Sequence, residues 1–315
     1  MRIAIIGQAA FGAAVYERLR DDGHEIVGVF TAPETGRPDP LAEAARRDGV
    51  RVEQPARWQR KGIVDATVFE TYASTKPALN VMAFVTQIIP SQVLDFPPQA
   101  TIQYHPSLLP KHRGRSAINH AIMQGDTETG CTIFWVDAGI DTGPVLLQER
   151  CAISENDTVN SLYRERLFPI GVEALTEAVR RIAKGEAPRI AQDESQATYE
   201  APWEGDIARI DWTQAAPRVH DFIRGSDRQP GAWSTIAGPA GDAVKVTLYG
   251  SQKAEPDEEA QGQPGSVLAV EAAGLTIRCG RGAVRVDTAK AEGGKRVPAA
   301  EWAAAAGVTP GTLLT

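Results

Sequence analysis

Between Arg2 and Tyr104, short apolar runs alternate with stretches of helical spacing, and this alternation constrains the fold more than any other feature of the chain. Arg2 to Ile6 has the pattern of a buried strand ending at Gly7, and Phe11 to Arg20 follows with Val15 and Leu19 on one helical face. Glu25 to Thr31, Leu79 to Phe84 and Thr101 to Tyr104 read as further strands, and Leu41 to Arg47 as a second helix. Strands that alternate with helices predict an α/β unit with a doubly wound, mostly parallel sheet.

Further along, Ser154-Glu155-Asn156-Asp157 is a cluster of helix-capping residues ahead of one long amphipathic pattern from Val159 to Lys184, closed by Gly185 and Pro188. That helix is expected to end a first domain spanning 1–190. Asp193 to Pro202 is polar and suits a linker, placed at 191–203. From 204 to 315 the composition shifts to short β-prone runs, Val244 to Tyr249, Gly265 to Val270, Leu275 to Cys279 and Ala283 to Asp287, broken by Gly, Pro and Asp. They predict a small β-rich, barrel-like C-terminal domain. Gln252 to Gln263, acidic and with no apolar residue beyond Ala, reads as a flexible loop.

A net charge of -7 offers no basis for a nucleic-acid or anionic-membrane partner. From Glu204 to Thr315 there are 12 Lys and Arg against 14 Asp and Glu, whereas a domain that grips RNA should present a basic face. Cys131, Cys151 and Cys279 lack the paired spacings of a disulfide framework or a zinc site. No apolar run approaches the ~18 residues of a membrane span, and the N-terminal run is too short for a signal peptide. A cytoplasmic chain without a membrane partner is expected.

Two segments carry the chemistry. His105 ends an apolar strand and precedes Pro106, which holds it out of helical geometry at the end of the sheet where open α/β folds place their ligands. Asp141 lies in a Gly-bracketed loop between Thr132 to Val136 and Pro144 to Gln148, from which its carboxylate can reach the same edge. Asp137, four residues earlier, suits a side-chain-capped turn. Among the other histidines, His24 reads as a solvated turn residue, His112 as a solvated loop residue or a contact for an anionic ligand tail, and His220 as structural. Cys131 reads as a small core residue. Gly7-Gln8-Ala9-Ala10-Phe11-Gly12 lacks the middle glycine of a dinucleotide fingerprint, and no acidic residue ends the second strand, so NAD is not expected.

His105-Pro-Ser-Leu-Leu-Pro110 with Arg113-Gly114, followed by Asp137-x-Gly-x-Asp141-x-Gly143, resembles the signature of the enzymes that use 10-formyltetrahydrofolate. These are methionyl-tRNA formyltransferase, sugar-nucleotide formyltransferases and the hydrolase domain of 10-formyltetrahydrofolate dehydrogenase, the last being the most similar. The likeness includes residues 6–16, Gly28-Val29-Phe30-Thr31, Ile133-Phe134-Trp135, Ile223-Arg224-Gly225 and Pro230-Gly231-Ala232-Trp233. It implies a formyltransferase-like Rossmann variant and an enzyme acting on 10-formyltetrahydrofolate as donor substrate, with no metal. His105 and Asp141 would be its catalytic residues, and Gln87, Ile88 and Ile89, with Ser107, its folate site. The carrier and aldehyde dehydrogenase domains of the full-length relative are not in this sequence, so no oxidation of the formyl group is expected.

The chemistry suits the residue types. A formyl carbonyl under attack gains negative charge that an imidazole N–H stabilises, and a carboxylate can take the nucleophile's proton and return one to the leaving nitrogen. Transferases of this family carry Asn two residues before the His and the hydrolase type an apolar residue; here Gln103 offers the amide on a longer stem. Hydrolysis to formate and tetrahydrofolate is the first expectation, and transfer to an amine, a small molecule or methionyl-tRNA, the second.

Overall fold

A computed structural model describes residues 1–238, 241–254 and 262–315. The chain forms two compact units, one from residues 1–114, 130–151 and 165–199 and the other from 115–129, 152–164 and 200–315.

The first unit holds β1 (Arg2–Gly7), α1 (Ala9–Asp21), β2 (Glu25–Phe30), α2 (Pro40–Arg47), β3 (Val52–Glu53), a two-strand hairpin of β4 (Gln59–Arg60) and β5 (Ile63–Val64), α3 (Ala66–Ala73), β6 (Leu79–Ala83), α4 (Ser91–Leu94) and β7 (Thr101–His105). The second unit contributes α5 (Ala117–Gln124), after which β8 (Glu128–Trp135) and β9 (Val145–Ala152) complete the sheet in the order β3-β2-β1-β6-β7-β8-β9. β1, β2, β3, β6 and β7 pair in parallel, and β8 runs antiparallel to β7. Strand order reverses beside β1, so β2 lies to one side of it and β6 to the other.

Period-two alternation sorts the strands between two cores. Ile3, Ile5, Leu79, Val81, Ile102 and Tyr104 face the α1 side, whereas Ala4, Ile6 and Met82 pack with Trp58, Tyr72 and Ile89 on the other. Buried Asn80 sits on that second side with its amide satisfied by Val93 O, Tyr72 and Thr101. Gly7 is required by close approach, since a Cβ there would lie 2.1 Å from Ala83 O. The glycine that resembles part of a dinucleotide turn thus serves the packing of β1 on β6.

The helix expected from Val159 to Lys184 is not continuous. α6 (Val159–Leu162) is capped by Thr158 and Ser161 in a reciprocal box, not by the acidic cluster before it. A π turn over Tyr163–Leu167 follows, and then α7 (Phe168–Lys184). Pro169 has no N–H for the carbonyl of Glu165 and its ring crowds that carbonyl, so the chain widens there.

The second unit also contains α8 (Ala216–Ser226), β10 (Ala232–Ala237), β11 (Ala243–Ala254), β12 (Val267–Glu271), β13 (Gly274–Arg278), β14 (Ala283–Ala291), β15 (Arg296–Pro298) and α9 (Ala299–Ala306). Its strands form an antiparallel sheet ordered β10-β11-β14-β13-β12, with β15 on β14. The last residues bridge its edges: Thr315 exchanges backbone hydrogen bonds with Thr235 of β10, while Val267 N–H donates to Thr312 O and Gly311 N–H to Val267 O beside β12. This gives the barrel-like character expected from the short β runs. In the acidic stretch expected to be a loop, Gln252–Ala254 belong to β11 and residues 255–261 lie outside the described residues.

Candidate active site

His105 is the last residue of β7 and shares a strand face with Gln103, two positions earlier. Its Nε2 lies 2.8 Å from the carbonyl oxygen of His112. A carbonyl only accepts, so Nε2 carries a proton and donates it. Its Nδ1 faces Asp141 Oδ2 at 3.5 Å, with the side chains 5% and 9% exposed. A neutral ring protonated at Nε2 would turn the Nδ1 lone pair toward a carboxylate, which is repulsive. The contact is favourable when a proton lies on Nδ1 or on the carboxyl group.

Asp141 reaches the imidazole by a route that strand order alone does not suggest. Because β8 is antiparallel, it ends beside Thr101, where Val136 N–H donates to Thr101 O at 2.9 Å. That end of β7 is about 13 Å from His105 at the rise of an extended strand. The loop after β8 starts at the opposite end of the strand from His105 and brings Asp141 back to it, so the carboxylate reaches the expected edge by a longer route than strand order suggests. The return is set locally. Asp137 Oδ1 accepts from Gly139 N (3.0 Å) and Thr142 Oγ1 (2.6 Å), the turn-capping role expected of it. Gly143 lies so close to Trp135 O that a Cβ would sit 1.7 Å away. Asp141 itself adopts φ 56°, a left-handed conformation that Asp tolerates better than most residues. Its Oδ2 accepts the Gly114 N–H at 2.8 Å, and no described residue donates to Oδ1.

The loop after β7 is braced from within. Thr132 Oγ1–H donates to Ser107 O (2.7 Å), Leu109 N–H to Thr132 Oγ1 (3.0 Å), and Gln148 Nε2 to Leu109 O (2.7 Å). Ser107 is fully buried and its hydroxyl donates to Lys111 O at 2.6 Å, closing the loop on itself. His112 is buried rather than solvated, and all five N–H groups of fully buried Arg113 are taken up by Gln192, Glu194 and Tyr199. The polar segment read as a linker contributes Glu194 and Tyr199 to this enclosure. His24 is half-buried with Nδ1 3.3 Å from the Met1 amino group, and both lower its pKa, burial foremost. Cys131 is buried in the core, which pushes its thiol up to about 12.

Gln103 pairs with Met82 and Phe134 and is half-buried, and its side-chain amide has no hydrogen-bond partner among the described residues. Gln87 lies in the loop after β6, where its Oε1 accepts from Trp58 Nε1 (3.1 Å) and its Nε2 donates to Pro55 O (2.8 Å). Its side chain therefore anchors the loop. Ile89 is buried against Trp58 and Val93, whereas Ile88 is 78% exposed. Beside them, Gly7, Gln8, Phe30, Ala32 and Thr86 line a depression at the carboxyl ends of β1, β2 and β6, the place where strand order reverses. Phe84 and Ile140, next to Ala83 and Asp141, are likewise exposed apolar side chains. Among the described residues no group of three or more His, Cys, Asp or Glu is arranged to hold a metal ion, and no helix is long and apolar enough to cross a membrane.

Two family models match the chain: "Formyl transferase" over residues 1–179 and "Formyl transferase, C-terminal domain" over residues 205–307. Human mitochondrial 10-formyltetrahydrofolate dehydrogenase is 43% identical over 96% of the chain and 33% of its own length. The chain thus spans about a third of that relative. Methionyl-tRNA formyltransferase of Trichlorobacter lovleyi is 33% identical over 99% of the chain and 96% of that protein. Among solved structures, HypX from Aquifex aeolicus in complex with tetrahydrofolic acid aligns with a TM-score of 0.67 at 23% identity, covering 96% of this chain and 47% of that one. The N-formyltransferase from Helicobacter canadensis, in complex with folinic acid and dTDP-3-aminofucose, aligns at 0.65 and 16% identity over 90% of this chain and 98% of that one.

Proposed function

The chain belongs to the formyl transferase family, and on that premise we propose that it hydrolyses 10-formyltetrahydrofolate to formate and tetrahydrofolate. The observation that carries this reading is the buried His105 and Asp141 pair, with Nδ1 3.5 Å from Oδ2. Water adds to the formyl carbon, and its proton passes to Asp141, to whose Oδ1 no described residue donates. The oxygen that becomes negative is met by the Nδ1–H of His105; at 3.5 Å from Oδ2 that donor is only weakly held and can turn to the substrate. Asp141 then delivers the proton to N10 as the carbon–nitrogen bond breaks, leaving tetrahydrofolate and formic acid, which releases its proton to solvent as formate.

The pterin meets the backbone of Ile88 and Ile89, in the loop after β6 that Gln87 anchors. Gln87 and Ser107 act through the loops they brace. Support for a folate comes from the names of the relatives and from the neighbour solved with tetrahydrofolic acid. Three free cysteines agree with a reducing, cytoplasmic setting.

Transfer to an amine is the second reading, favoured by the amide of Gln103 beside His105, which has no partner among the described residues, and by the full-length match to methionyl-tRNA formyltransferase. Formate release from 10-formyltetrahydrofolate, measured with and without candidate amines, decides. Release without amine supports hydrolysis. Formate that never appears, with a formylated amine in its place, supports transfer.

A further inference from the structure

Gln192 follows α7 in a stretch whose composition reads as a simple connection, yet both ends of its amide are committed. Its Oε1 accepts from Arg113 Nε at 3.2 Å and Nη2 at 2.7 Å, and its Nε2 donates to the carbonyls of Asp141 at 2.9 Å and Gly143 at 2.7 Å. This orientation is fixed by chemistry. A flipped amide would set its NH2 against the guanidinium and its oxygen against two carbonyls, four unfavourable contacts at once.

The two loops that Gln192 joins carry the two halves of the candidate site. Arg113 lies between His112, whose carbonyl holds His105 Nε2–H, and Gly114, whose N–H holds Asp141 Oδ2. On its other side the guanidinium is braced by Glu194 at 2.7 and 2.9 Å and by Tyr199, with that ring also 5.1 Å from the guanidinium carbon. Glu194 holds the guanidinium more firmly protonated.

We propose that Gln192 is a positioning residue, a single amide that fixes the loop of Asp141 against the loop of His112 to Gly114 and so sets the separation of the His105 and Asp141 side chains. The proposal rests on the use of that pair in formyl chemistry, where a displacement of about 1 Å costs about a hundredfold in rate. Gln192 itself touches neither catalytic side chain, so its effect should appear in the chemical step and not in folate affinity.

Two variants test it. Gln192→Met keeps the length and removes every hydrogen bond; Gln192→Glu keeps the acceptor for Arg113 and places an oxygen against the carbonyls of Asp141 and Gly143. Each is expected to lower kcat for formate release by about 10- to 100-fold while KM for 10-formyltetrahydrofolate stays within about threefold. In parallel, the His105 Nε2–H proton is followed by NMR in protein labelled with 15N-histidine, without substrate. The resonance that is absent in His105→Ala is expected to exchange slowly in the unmodified protein and to be broadened or missing in both variants. Folded variants with kcat within about twofold of the parent and an unchanged resonance overturn the proposal. Should Gln192→Met not fold, Gln192→Glu decides on the same two readouts. Should the unmodified chain release no formate and formylate no amine, the functional reading fails, and the resonance alone judges the positioning role.

Discussion

Gly114 donates its backbone N–H to Asp141 Oδ2 at 2.8 Å, on the same oxygen that faces His105 Nδ1, while no described residue donates to Oδ1.

Asp141→Asn keeps the shape and the acceptor for Gly114 but cannot take a proton. Formate release at saturating substrate is expected to fall by about 10²- to 10⁴-fold, as for loss of a general base. His105→Ala should do the same. Circular dichroism should show both variants folded, and undiminished turnover in either removes the mechanism.

Gln103 is the position to vary for acceptor choice. With His105 and Asp141 intact, Gln103→Asn should raise the ratio of amine formylation to formate release and Gln103→Ile should lower it, each by about tenfold, the equivalent of one neutral hydrogen bond. Product ratios with one amine at fixed concentration provide the check. Ratios that stay equal in all three proteins exclude a role for this side chain.

Trp58→Phe removes the indole N–H that holds Gln87 Oε1 and leaves space in the second core. Stability should drop by about 2 kcal/mol in denaturant unfolding. KM for the folate should rise more than kcat falls, because the loop of Ile88 and Ile89 loses its brace.

Burial is the main cause of the lowered pKa of His220, which sits between Ser251 Oγ and Glu155 O, each 2.9 Å away. His24 is lowered too. Below the ordinary histidine value of about 6.5, an unfolded chain binds protons that these folded sites refuse, so stability should fall as pH drops through that value. Urea midpoints at about pH 7.5 and 5.5 test this. In His220→Gln the drop should be smaller, and an equal drop would assign it to other groups.

Much of the first unit was legible because local signals agreed: Arg2 to Ile6, Glu25 to Thr31 and Thr101 to Tyr104 are apolar runs whose lengths match the strands formed, and His105 before Pro106 marks the end of β7. The continuous helix at Val159 to Lys184 failed because hydrophobic periodicity does not register one missing N–H at Pro169. Asp141 was legible as a residue but not as a path, since the antiparallel sense of β8 is decided by long-range pairing. Gln192 left no local trace. Its role depends on backbone carbonyls some fifty positions away, and a lone glutamine in a polar stretch has no periodicity or spacing to betray it. Ser107 and Arg113 lay inside a recognised motif, yet only the packed loop discloses that both are committed internally.

The left-handed backbone at Asp141 has an evolutionary corollary. Gly and Asn settle readily at such a position but supply no carboxylate, whereas Glu supplies one on a side chain ill suited to that backbone and too long for the reach to His105. On the proposed mechanism, aspartate alone meets both demands. A lineage that mutates this codon therefore has no second amino acid to fall back on, and regained activity in a selection experiment should come from true reversion instead of substitution by another residue at the same site.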